Sequence, residues 1–508
     1  MARSTRTTRG RWPAGGGGIL AAVAVLAVTA APAQATPPPR GTVQVSVGLN
    51  GAVPDNQSWS QGISADGRYA LFTSWATNLV SQPAKSGRDA YVRDLRTGRT
   101  ERINLSDDGN VLDGFTDYVA INADGRYVAF ESDAANVVPG VQVQGRDEVY
   151  VRDRRTGRTE LVSGGPTSTD TDKFHSSYAP SLSADGRYVA FVSSRTDLVP
   201  DLQGTEPSLA RPYTWDYNVY VTDRRTGKTR LVTRGVDGRP GDSMSLNPTI
   251  SADGRTIGFT SLAGNLLPAE QTPAAPAAGG AGPADVELAP GAAAALPRSA
   301  QPGLSRPTTG VYYTYDMETG RIRAASLDLD GRLGYASFDA TISPDGRRAI
   351  YALPEPGGST GGHRYHTVLY VRDLEKGTVT KISGGLPGTA SVGSSDHGRI
   401  TADNRRVYFA SAADNLVAGP QHPGWEVYRH DLRTGRTERV ATAPDGSLGN
   451  GSSNAPVVDA RGDTVVFGST SGNLLPGTGG PERVDYQVFA RITGHHGDGD
   501  DDQRGDDD

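Results

Sequence analysis

The sequence predicts an all-β chain: a ring of seven four-stranded antiparallel sheets, the seven-bladed β-propeller. Three observations carry that prediction. One strand–turn–strand unit recurs seven times, a second hairpin follows it in six copies, and the two ends of the array fit each other by one strand.

The first unit is clearest at Ser181-Leu-Ser-Ala-Asp-Gly-Arg-Tyr-Val-Ala-Phe191, with copies at Ile63–Phe72, Ile121–Phe130, Ile250–Phe259, Ile342–Tyr351 and Ile400–Phe409 and a worn one at Val458–Phe467. The closing aromatics are spaced by 58, 61, 68, 92, 58 and 58 residues. Asp66-Gly67, Asp124-Gly125, Asp185-Gly186, Asp253-Gly254 and Asp345-Gly346 suit a tight turn with positive φ, and Asn404 stands where the sixth copy would have its glycine. The strand after each turn is apolar without alternation, so it is expected to be buried on both faces.

The second hairpin, Tyr91-Val-Arg-Asp-Leu-Arg-Thr-Gly-Arg-Thr100, recurs at Tyr150–Thr159, Tyr220–Thr229, Tyr313–Ile322, Tyr370–Val379 and Tyr428–Thr437. Its Asp precedes the turn Gly by four residues and is expected to cap the turn. The last repeat stops one strand short, while Thr42–Val47 is one strand to spare. The N-terminal strand is therefore expected to complete blade seven and remove the open sheet edge. The 92-residue step is explained by an insertion in blade four, residues 269–308, rich in Ala, Pro and Gly and read as a disordered surface loop.

The ends are read separately from the propeller at 42–493. Arg3, Arg6, Arg9 and Arg11, the apolar run Ile19–Ala30 and Ala31-Pro-Ala-Gln-Ala35 make a Sec-type secretory signal peptide over 1–35. Cleavage is expected after Ala33 or Ala35, leaving a Pro-rich leader at 36–41. That apolar run is too short to span a bilayer comfortably, so a secreted or cell-wall-associated chain without a membrane span is expected. Residues 494–508 hold seven Asp and read as an acidic disordered tail. With no cysteine, the fold must rest on core burial rather than disulfides. An acidic net charge of −6 argues against nucleic acid as a partner. We expect a monomer.

Chemistry-bearing motifs are few. There is no cysteine nucleophile and no Gly-x-Ser-x-Gly. His363 and His366 lie in a Gly-rich loop without the Glu and helix of a zincin, and no metal or cofactor is expected. The long connections, including Pro200–Asp216, Leu353–His366 and the blade-four insertion, all fall at the same end of the strands and mark the binding face.

Counting back from the closing aromatics brings out a ring at the start of the innermost strands. Fourteen residues earlier stand Ser58, Thr116, Ser177, Ser245, Ser337, Ser395 and Ser453, expected to bond backbone. Beside them lie Trp59, Asp117, Tyr178, Phe338, Asp339, Asp396 and His397, the candidate ligand-binding residues, with Trp59, Tyr178 and Phe338 as stacking surfaces. A water-filled channel rim is the alternative reading of the same positions. Six residues after the aromatics come Asn78, Asn136, Asp197, Asn265, Asn415 and Asn473, read as Asx caps of their own loops.

Repeats reading Ser-x-Asp-Gly-Arg-x-x-x-Phe and then Tyr-Val-x-Asp-x-x-Thr-Gly-x-Thr resemble the TolB-like (WD40-like) β-propeller repeats of exported bacterial proteins, over nearly all of Thr42–Ile492. TolB has six blades and a separate N-terminal domain, whereas this chain counts seven copies and shows no such domain. The resemblance implies a propeller whose relatives serve as protein-binding scaffolds, as propellers attached to peptidases, or as lyases, and so leaves function open. The expectation is a secreted scaffold binding a protein, peptide or cell-wall glycan on its long-loop face. Its rival is a polysaccharide-active, lyase-like enzyme at the channel mouth, using His397 with Asp396 or Asp339.

Overall fold

Each closing aromatic has a partner, which explains why the repeat retains it. In a computed structural model of the chain, Phe72 lies opposite Tyr91 and stacks on it at 5.5 Å between ring centroids. The same cross-strand pair recurs as Phe130–Tyr150, Phe191–Tyr220, Phe259–Tyr313, Tyr351–Tyr370, Phe409–Tyr428 and Phe467–Phe489. Directly opposed rings are the natural stabilising unit of an antiparallel sheet.

The structure describes residues 40–494 except 83–86, 141–145, 165–175, 196, 203–216, 269–308, 338 and 357–364. The signal peptide, most of the leader, the blade-four insertion, the acidic tail beyond residue 494, Phe338 and His363 lie outside the described residues. The described residues form seven four-stranded antiparallel blades. Blade one runs Ser58–Ile63, Tyr69–Ser74, Asp89–Asp94, Arg99–Arg102, and the others repeat that order outward from the channel. Blade seven takes its outer strand from the N-terminal segment: Gly41 pairs with Ile492 and Gln44 with Phe489, while Val45, fully buried, packs with Val466, Val488 and Phe72. The second strands are buried on nearly every residue.

Blade five departs from the pattern. Its innermost strand is broken, and the upper piece, Tyr335–Ser337, pairs with Thr309–Val311 of blade four. Among the described residues, no helix is long and apolar enough to cross a membrane.

A ring of main-chain hydrogen bonds joins the blades on the short-turn side. Ala65 N–H donates to Ala123 O, Ala123 to Ala184, Ala184 to Ala252, Ala252 to Pro344, Ala402 to Ala460, and Ala460 back to Ala65. Pro344 has no N–H, so the link from blade five to blade six is missing. Asn404 restores it: its side-chain amide donates to Asp345 Oδ2 at 2.6 Å, at φ 58°. The residue that stands where other blades have glycine thus serves the turn and bridges the gap.

The turn carboxylates have two tasks. Asp153 accepts the Arg155 N–H and pairs with Arg126, which holds it down to about 2; Asp223 and Arg187 repeat the arrangement. Tyr127 lies between two guanidiniums, Arg126 of its own blade at 4.6 Å and Arg224 of the next at 4.3 Å. Gly186, at φ 69°, leaves room for that ring, since a Cβ there would come within 2.5 Å of it.

Two expectations need correcting. The ring hydroxyls do not bond backbone directly; Ser58 pairs with Ser74 Oγ at 2.8 Å, and it is Ser74 that reaches Gln57 O. The asparagines do not cap their own loops. Asn265 accepts from Asp242 N and donates to Pro240 O, and Asn473 does the same to Asn450 N and Leu448 O, so each latches the connection leading into its blade.

Blade seven also carries a buried acid, Asp459, where other blades have Ser64, Asn122 or Ser183. Burial pushes its carboxyl up to about 6. A folded pKa above the unfolded value near 4 means that the charged form strains the fold above pH 6, and the strain fades as pH falls through 6. Asp459→Asn keeps an acceptor for the Asp463 N–H, which Asp459 now bonds at 2.8 Å. It should raise stability by about 2 kcal/mol at pH 7.5 and by about half as much at pH 5, where the carboxyl is largely protonated in the fold but charged in the unfolded chain. Equal gains in melting temperature at both pH values would disprove the assignment.

Candidate functional site

The innermost strands begin on the side of the long connections, and there they surround a cavity at the channel mouth. Its water-accessible volume is about 240 Å³, and its walls include Trp59, Arg88, Asp117, Tyr118, Asn247, Asp339, His397 and Arg399. A second cavity of about 220 Å³ lies deeper, walled mainly by Ile63, Ile342, Ile400, Val457 and Val458. Arg399 lines both, so it stands in the throat between a polar mouth and an apolar lower channel.

Two clusters occupy opposite sides of the mouth. On blades one and two, the Arg88 guanidinium lies 5.2 Å over the Trp59 ring and donates from Nε to Asp117 Oδ1 at 2.8 Å. Arg88 thereby holds the indole and the carboxylate together as one wall. Behind it is Glu131, only 4% exposed, whose carboxyl accepts from Ala179 N–H at 3.3 Å. Burial, aided by Asp147 and Asp117, pushes the Glu131 carboxyl well above the usual carboxylate range.

On blades five and six, His397 Nδ1 is 2.8 Å from Asp396 Oδ1 and 3.8 Å from Asp339, and its backbone N–H donates to Asp339. Burial alone would lower the His397 pKa, but the two carboxylates outweigh it and raise it above the ordinary histidine value. Donor atoms of Asp339, Asp396 and His397 lie within 4.8 Å of one another. A divalent cation could be held there only by displacing the proton that His397 shares with Asp396.

The positional count places Trp59, Asp117, Asp339 and His397 at the mouth. It misplaces two residues. Tyr178 is 1% exposed and packs edge-on against Tyr217 in the core between blades; Asp396 is 1% exposed and sits behind His397. The cause is a bulge. Register slips between Tyr178 and Ser181 and between Asp396 and Arg399, and the residues in the slip, Ala179 and His397, have positive φ. In blade one the slip falls later, between Ser60 and Gly62, which leaves Trp59 turned to the channel. Arg88 and Arg399 were not anticipated. For Arg399 the signal exists: ten residues before the closing aromatic the other blades carry Gly62, Ala120, Ser181, Thr249, Thr341 and Val457, all smaller.

No known protein family matches the chain, and no curated protein does. Solved structures of similar fold exist. Oligogalacturonate lyase from Vibrio parahaemolyticus aligns at 13% identity and a TM-score of 0.44, over 89% of this chain and 96% of that one. TolB from Acinetobacter baumannii aligns at 14% identity and 0.33, over 85% and 82%. Acylaminoacyl peptidase from Pyrococcus horikoshii aligns at 12% identity and 0.44, over 82% of this chain and only 50% of its own. These likenesses are distant, and the seven-bladed β-propeller is read from the blades of this chain itself.

Proposed function

We propose that the chain is an exported binding protein that takes the end of a polar polymer, a peptide, into the channel mouth on its long-loop face. The observation that carries this reading is the mouth cavity itself: an aromatic wall at Trp59 and Tyr118, charged and amide groups around it, and a second, apolar cavity with which it shares Arg399. Flat aromatic surface beside hydrogen-bonding groups suits a peptide or a sugar, and a polar mouth backed by a second cavity suits a chain end entering along the channel.

Capture of a random heptapeptide library and of cell-wall glycan fragments by the purified chain tests it. Peptides should be retained, and Trp59→Ala should weaken retention at least tenfold with little change in melting temperature, since central aromatic anchors commonly carry 2 kcal/mol or more. Retention of neither pool, or parent-like retention by Trp59→Ala, would remove the mouth from consideration.

A second reading rests on the His397–Asp396 contact, a hydrogen-bonded pair of the kind used in general acid–base catalysis. If the mouth is a lyase site, His397→Ala abolishes turnover of a uronate polymer. If it only binds, the same change costs a few-fold in affinity.

A further inference from the structure

We propose that Arg399 reads a free terminal carboxylate: the peptide enters C-terminus first, and the Arg399 guanidinium in the throat takes its α-carboxylate. This rests on the peptide-binding reading above and adds to it the direction of entry and the group recognised.

The repeat supplies the first argument. At this level of the innermost strand six blades place Gly, Ala, Ser, Thr or Val against the channel, and only blade six places a long cation there. Nothing in the blade requires it. Among the described residues Arg399 makes one hydrogen bond, from Nη1 to Gly398 O at 2.9 Å, and no carboxylate lies within ion-pair distance of it. Most of its five N–H donors are thus left over by the described residues, on a side chain that lines both cavities. Two other arginines set between blades are used differently, Arg88 on Asp117 and Arg195 on Glu148 and Asp197.

The neighbouring acids are already engaged. Asp396 holds the His397 ring, and Asp339 accepts the His397 main-chain N–H. His397, when protonated, offsets one of these two charges. A planar fork of donors where the polar mouth meets the apolar cavity matches a planar carboxylate, which can accept two parallel N–H bonds. Depth selects the terminus. Side-chain carboxylates and uronic-acid groups flank their polymers, whereas the α-carboxylate leads a peptide that enters end-on. Below Arg399 the channel turns apolar, so the charged end has no better station beyond it.

The experiment compares the parent's capture of two random heptapeptide libraries, one with free C-termini and one C-terminally amidated. The free-acid library should be captured at least tenfold better. Arg399→Gln should erase that preference, Arg399→Lys should retain part of it, and Trp59→Ala should weaken capture of both libraries alike. Equal capture of the two libraries by the parent overturns the inference while leaving peptide binding intact, and needs no variant to be folded. Capture of neither library ends both readings. Capture of a uronic-acid oligomer in place of the free-acid peptides, lost in Arg399→Gln, would overturn the peptide terminus and assign the anion to a glycan.

Discussion

Deleting residues 41–48 should lower stability by about 4 kcal/mol or more and convert the monomer expected here into a self-associating species. The segment contributes the outer strand of blade seven, in register from Gly41–Ile492 to Gln44–Phe489, and continues with Val45 N–H donating to Val488 O at 2.7 Å. It removes from water one fully buried valine, Val45, and parts of Val43 and Val47, worth about 1.5–3 kcal/mol for a complete side chain and less for the other two. Ser46 adds a buried hydrogen bond to Gln487 Oε1 at 2.9 Å, whose loss would leave the partner unpaired. What remains is worse than a missing contact. Gln487–Ile492 would become an edge strand with its N–H and C=O groups open to another chain. Thermal unfolding and size exclusion read the two consequences. An unchanged melting temperature in a monomeric deletion variant would mean that the six-link main-chain ring on the short-turn side suffices to close the propeller.

That ring, and much else holding the blades together, was hidden in the repeat rather than absent from it. Hairpins, blade number and closure were legible because turn chemistry and apolar runs are local, and seven copies average out local noise. Contacts between copies were not, since a repeat shows what each unit contains and not which atoms of neighbouring units meet. Arg126 looks like a solvated turn residue in sequence, yet it grips Asp153 and covers Tyr127. The mouth was half legible for a different reason. Counting residues fixes a level along the strand, but a side chain's face follows a period of two, and one bulge reverses it. Trp59 and Tyr178 are equivalent by count, and only Trp59 reaches the channel. Departures from the repeat add to it: Arg399 and Asp459 each replace an uncharged residue found in the other six blades, Arg399 at the wall of both cavities and Asp459 buried in blade seven.

Arg195 is another such departure, and replacing it should be the most damaging single substitution argued for this chain, costing about 3–5 kcal/mol. Four residues after the closing aromatic, blades one, two, four and six have Ala76, Ala134, Ala263 and Ala413; blade three has an arginine that is 1% exposed. Its Nη1 donates to Glu148 Oε1 at 2.6 Å and to Ser163 O at 3.1 Å, across the boundary with blade two. Nε and Nη2 take both oxygens of Asp197 at 2.9 and 2.8 Å. Arg146 Nε also reaches Glu148 at 2.9 Å, so among the described residues two cations meet two carboxylates in a dry site. Even so, burial raises the Glu148 pKa despite its arginines, which shows how little charge the site can tolerate unpaired. Arg195→Ala would leave Asp197 without its fork and Glu148 with half its compensation. The repeat suggests the rescue: Arg195→Ala with Asp197→Asn recreates the Ala and Asn that other blades carry, and removes one charge of each sign. Chemical denaturation of the two single variants and the double should then give strong coupling, with the double recovering more than half of what Arg195→Ala alone loses. Additive losses would mean that the cluster acts as separate contacts rather than as one balanced unit.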